Sequence, residues 1–76
     1  IRVFPNPSKE CVTITTAFKN PCRLEIINML GQSRISVNLL SESQVLSTDI
    51  LTAGMYFLNF YEGNKLQVVK KLLIEE

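Results

Sequence analysis

LTAGMYFLNFYEGNKLQVVKKLLI, residues 51–74, decides the fold class. Leu51-Thr52-Ala53-Gly54 reads as a corner. From Met55 to Tyr61 the residues Tyr56, Leu58 and Phe60 fall on one face, the period of two that marks a strand with one side buried. Glu62-Gly63-Asn64-Lys65 has the composition of a tight hairpin turn. Beyond it Val68, Leu72 and Ile74 share an inward phase with Lys70. Lys70 is therefore expected near the end or edge of its sheet, where its stem packs and its charge reaches water.

The same alternation extends towards the N-terminus. A strand from Val45 to Asp49 is expected, although Thr48 stands where an apolar inward residue would fit better, and Leu40 to Gln44 is a polar connection before it. Gln32 to Leu39 turns Ile35, Val37 and Leu39 inward. It pairs as a hairpin with a strand whose inward set is Cys22, Leu24 and Ile26 and whose outward set is Arg23 and Glu25. The turn between them, Asn28-Met29-Leu30-Gly31, supplies a glycine for positive φ. Lys19-Asn20-Pro21 turns the chain after Cys11 to Thr16, where Val12 and Ile14 alternate with threonines. Ile1 to Phe4 ends at Pro5-Asn6-Pro7-Ser8, a rigid corner, since two prolines remove backbone donors and fix φ. No segment shows a helical period. Seven short strands with turn residues every roughly 8–12 positions are the pattern of an antiparallel all-β sandwich.

Length and composition narrow the function. A chain of 76 residues makes one domain and hides only roughly 60% of its unfolded surface, so each large apolar residue matters to the core. An apolar fraction of 46%, spread in short clusters, argues for a folded domain. No run approaches the roughly 20 apolar residues that span a bilayer. The net charge of +1 and the single basic pair Lys70-Lys71 give no field that implies nucleic acid or an anionic membrane. Ile1 to Pro5 resembles neither the basic start nor the apolar middle of a signal peptide, so the expectation is a segment excised from a longer exported protein. Cys11 and Cys22 could form one disulfide in an oxidising compartment.

Catalytic chemistry finds no footing in these residues. Histidine is absent, and no acid or cysteine cluster has the spacing of a zinc or EF-hand site, so no metal or cofactor is implied. A cysteine nucleophile lacks an activating base. Glu10, Glu25, Glu42, Asp49, Glu62, Glu75 and Glu76 fall in outward phases or turns. Gly31, Gly54 and Gly63 each stand alone at a turn, unlike a phosphate cradle. Phe57 and Tyr61 share the outward phase and suggest contact with a partner or cover from a parent domain. Tyr56, two residues past a corner glycine, suits a hydroxyl bonded back to corner backbone.

Taken in order, Val3-Phe4-Pro5-Asn6-Pro7-Ser8, Leu24-Glu25-Ile26-Ile27-Asn28-Met29-Leu30-Gly31-Gln32, Leu51-Thr52-Ala53-Gly54-Met55-Tyr56-Phe57-Leu58 and Lys71-Leu72-Leu73-Ile74-Glu75 resemble the type A C-terminal sorting domain of the type IX (Por) secretion system. The resemblance rests on order, spacing and total length. It implies a seven-stranded immunoglobulin-like antiparallel sandwich at the end of a cargo protein. Such a module passes through the periplasm by general export and is recognised by the outer-membrane translocon, which carries the cargo to the cell surface or beyond. A surface sortase-like cysteine peptidase then usually removes it and joins the cargo to lipopolysaccharide, cutting before the Pro5-Asn6-Pro7 block.

Carried over by position, Pro5, Asn6 and Pro7 match the family's first motif, Gly31 and Gly54 its turn glycines, and Tyr56 its corner tyrosine. Lys71 to Ile74, with Lys70 beside them, match the terminal recognition strand. Cys11, Cys22 and Thr48 depart from the pattern, and Thr48 puts burial of the fifth strand in question. A terminal strand with a free edge can dock by strand addition or pair into an edge-to-edge homodimer. The alternative function is a retained accessory sandwich of a surface protein or of the secretion machinery, serving docking, shuttling or carbohydrate binding.

Overall fold

The structure, a computed structural model, describes residues 1–5, 10–17 and 22–75. Seven strands are present among them: β1 (Arg2–Phe4), β2 (Cys11–Thr15), β3 (Cys22–Asn28), β4 (Ser33–Leu39), β5 (Ser43–Ser47), β6 (Gly54–Glu62) and β7 (Lys65–Ile74). They form two antiparallel sheets, ordered β1-β2-β5 and β4-β3-β6-β7, and no helix occurs among the described residues. The alternation seen in the sequence sets the packing. Val12 and Ile14 of the smaller sheet and Leu24, Ile26, Leu58, Phe60 and Leu72 of the larger one are fully or almost fully buried in one shared core. Two apolar sheet faces closed on each other are what a β-sandwich requires.

The turns follow their residues. Asn28 organises the β3–β4 connection: its Oδ1 accepts from the Leu30 and Gln32 amides at 3.0 and 2.9 Å, and Gly31 takes φ 83°. That is the local bonding that makes Asn a turn former. A register shift between Ile26 and Ile27 leaves Arg34 as the extra residue of a bulge. At the β6–β7 hairpin Glu62 faces Lys65 across the two residues Gly63 and Asn64. Gly63 has φ 63° while Asn64 does not enter positive φ, which identifies a II′ turn with glycine at its first central position.

The fifth strand differs from its expected bounds. It runs Ser43–Ser47, two residues upstream of the Val45–Asp49 expected, because it pairs residue for residue with β2 from Thr15↔Ser43 to Cys11↔Ser47. The partner's length, invisible in the local pattern, sets its ends. Thr48 just beyond it is nevertheless buried, continuing the inward phase of Leu46. Its amide donates to the Glu10 carbonyl at 2.8 Å and its carbonyl accepts from the Leu51 amide at 3.0 Å. Its hydroxyl has no partner among the described residues.

Candidate functional site

The six residues singled out for recognition converge on one ladder. In the β6–β7 pairing Gly54 faces Ile74, Tyr56 faces Leu72, Phe57 faces Lys71 and Leu58 faces Lys70. Residues 12 to 20 positions apart are neighbours because the II′ turn folds β7 back along the whole of β6. Among the described strands β7, ten residues long, is the last in the order of its sheet.

The lower end of this ladder is fixed by a corner. Gly54 has φ 148°, a conformation that L side chains rarely adopt. The turn it permits lets the Tyr56 hydroxyl reach back and donate to the Thr52 carbonyl at 2.7 Å, with Thr52 Oγ1 3.2 Å away. Tyr56 is itself buried beside Leu72. The corner thus positions the end of β7 through packing, and Leu72 and Ile74 are core residues at 0% and 2% exposure.

Lys70 lies where its phase requires. It continues an inner-facing row Ile35, Ile26, Leu58 across four strands, yet is exposed because its strand is the sheet edge. Lys71 points to the opposite face beside Phe57. That outer face is graded. β4 contributes Ser33, Ser36 and Asn38, whereas β6 and β7 contribute Met55, Phe57, Leu66, Val69 and Leu73, so the apolar part lies on β6 and β7. Phe57 and Tyr61 are half-buried, and the Arg23 guanidinium stacks 4.3 Å from the Tyr61 ring centre. The sequence pointed to Phe57 and Tyr61 alone. The wider patch is assembled by the β6–β7 register and its shift between Phe60 and Tyr61, which no local pattern displays.

Other sequence-derived candidates lie elsewhere. Gly31 sits in the β3–β4 turn at the same end as Gly54, since Asn28 pairs with Tyr56. Pro5 is an exposed bend after β1, on the other sheet. Asn6 and Pro7, and the Lys19-Asn20-Pro21 turn, lie outside the described residues. Cys11 is exposed on β2 and Cys22 is buried on β3 of the opposite sheet. Burial pushes the Cys22 thiol above its ordinary value, and the Glu62 carboxylate facing it pushes further in the same direction. This is the reverse of an activated nucleophile. Among the described residues no group of acids or cysteines could hold a metal ion, and no helix is long and apolar enough to cross a membrane.

Residues 2–75 match the family of secretion system C-terminal sorting domains, and the chain belongs to that family. No curated protein matches the chain. The family is defined by sorting through the type IX secretion system, which delivers proteins to the cell surface or the extracellular space.

Proposed function

We propose that the outer-membrane translocon reads this sorting domain through its terminal strand β7, and that the module rides at the C-terminal end of a cargo protein. The observation that carries the reading is β7 itself: a ten-residue strand at the end of its sheet order, on which the recognition candidates Lys70, Lys71, Leu72 and Ile74 lie close together, with Lys70 and Lys71 exposed. The cargo crosses the periplasm by general export before this step. At the surface a sortase-like cysteine peptidase cuts ahead of Pro5 and transfers the cargo to lipopolysaccharide. An immunoglobulin-like topology is supported by the strand orders β1-β2-β5 and β4-β3-β6-β7, which correspond to ABE and C′CFG, and by the Tyr56 corner at the start of the F-equivalent strand.

Deleting Leu72 to Glu76 is a poor test, because it removes two core side chains along with the edge. A better one keeps the core intact. A reporter cargo bearing this module carries Lys70→Ser and Lys71→Ser, both exposed on β7, and a module with Arg34→Ser, exposed on β4, is the control. The reporter should remain in the periplasm with the β7 substitutions and be secreted with the control, while circular dichroism shows both modules folded. Secretion undiminished by the β7 substitutions would overturn recognition at β7.

A further inference from the structure

The β3–β4 turn carries two apolar side chains that its own structure does not use. Its bonds gather on Asn28: the Asn28 amide donates to the Gln32 carbonyl at 3.0 Å, the Asn28 carbonyl accepts from the Gly31 amide at 3.0 Å, and Nδ2 donates to Gln32 Oε1 at 2.9 Å, beside the two bonds that Oδ1 accepts. Met29 and Leu30 give no side-chain atom to this staple and stand 64% and 84% exposed. The β6–β7 turn shows that a hairpin tip needs nothing apolar, since Glu62, Gly63, Asn64 and Lys65 close it. A lone exposed leucine means little, and Leu40 at the opposite end, followed by Ser41 and Glu42, is one such. Two adjacent apolar side chains on a stapled turn are different, because the backbone that presents them is ordered before any partner arrives.

The register places this tip at the end of the sandwich where the recognition strand finishes. Asn28 faces Tyr56 and Tyr56 faces Leu72, so the turn begins two strand spacings, about 10 Å, from Leu72 and projects towards the level of the Gly54↔Ile74 pair. The β5–β6 connection reaches the same end and adds Ile50, 64% exposed, in a turn closed by the Leu51 amide on the Thr48 carbonyl at 3.0 Å. β1 starts at the other end, where Arg2 faces Thr15, so a cargo joined ahead of Ile1 attaches away from the tip. Asp49 beside Ile50 and Glu75 beyond Ile74 are exposed carboxylates at the tip's end, unfavourable against an anionic membrane and costly to sink into lipid. An apolar protein pocket carries neither penalty. Resting on the reading that the secretion machinery recognises this module, we infer that Met29, Leu30 and Ile50 form a second contact beside β7: an apolar tip that enters a pocket lined by apolar side chains on a protein of that machinery.

The test uses the same reporter cargo and module. Met29→Ser with Leu30→Ser should cut the secreted fraction roughly tenfold, the loss expected when apolar anchors leave a pocket, and hold the reporter in the periplasm with the module folded by circular dichroism. Leu30→Lys, at a side chain 84% exposed, should repeat the loss with every bond of the turn in place. Leu40→Ser removes an equally exposed leucine at the opposite end, 88% exposed, and should be secreted normally. Met29→Leu with Leu30→Met keeps the tip apolar and should also be secreted normally. Normal secretion of the serine pair or of Leu30→Lys overturns the inference and leaves recognition at β7 standing. Loss at the tip with normal secretion of the Lys70→Ser and Lys71→Ser module overturns the β7 reading alone. Equal loss on Leu40→Ser overturns the assignment to this end. Co-sedimentation of the wild-type chain with phosphatidylglycerol vesicles, abolished by the serine pair, overturns the protein pocket in favour of lipid.

Discussion

Replacing Thr48 by valine should stabilise this domain. Thr48 is at 0% exposure, its backbone amide and carbonyl are both bonded, and its Oγ1 has no partner among the described residues. A buried hydroxyl in that state costs about 1–3 kcal/mol of desolvation with nothing returned. Valine keeps the β-branched shape and the restricted χ1 of threonine while exchanging the hydroxyl for a methyl group. The gain should be about 1–2 kcal/mol. For a domain of this length each kcal/mol moves Tm by roughly 4–8 °C. With a urea slope of about 1 kcal/mol/M, the midpoint should rise by about 1–2 M at unchanged slope. Thr48→Ser separates the two groups, because it keeps the orphan hydroxyl and deletes the buried methyl, and it should cost about 1 kcal/mol. Urea unfolding followed by circular dichroism reads all three proteins. A valine variant no more stable than the wild type would show that the hydroxyl is bonded in the folded chain, and the reasoning would fail.

Three further outcomes are expected. Tyr56→Phe removes the 2.7 Å bond to the Thr52 carbonyl and should lower stability by about 1 kcal/mol in the same urea assay, with no loss meaning that the corner bond is immaterial. At Gly63 an added Cβ meets nothing within 4 Å, so the cost of Gly63→Ala, about 1 kcal/mol in unfolding free energy, is conformational and arises from φ 63° alone. A D-alanine at that position, introduced by chemical synthesis, should restore wild-type stability. The Cys22 thiol is held above its ordinary value of 9.0, so the fold favours its neutral form. Its contribution is fully present below the unfolded value and is lost as pH rises through the folded one. The urea midpoint should therefore decline more steeply above pH 9 in the wild type than in Cys22→Ala, and parallel declines would count against the assignment.

Much of the candidate site was legible because a period of two is a strong signal when one face is buried. Val12 and Ile14, the set Cys22, Leu24 and Ile26, and the set Tyr56, Leu58 and Phe60 all point as their alternation requires. The edge position of Lys70 was legible for the same reason: a lysine in an inward phase is tolerable only where its ammonium escapes. Less legible were the ends of β5, which copy the length of β2, and the burial of Thr48, which a polar residue in that phase does not announce.

The sequence by itself determined the strands, their faces and the turns, because these depend on residues a few positions apart and on glycines at positive φ. Membership of the sorting-domain family was also carried by the order and spacing of its motifs. Only the tertiary structure decided the order of the strands in each sheet, that Gly54, Tyr56, Leu72 and Ile74 meet at one end of a single ladder, and that an apolar outer patch lies on β6 and β7. Strand order and register are set by the summed packing of two sheets on a shared core. No local stretch of the chain contains that sum.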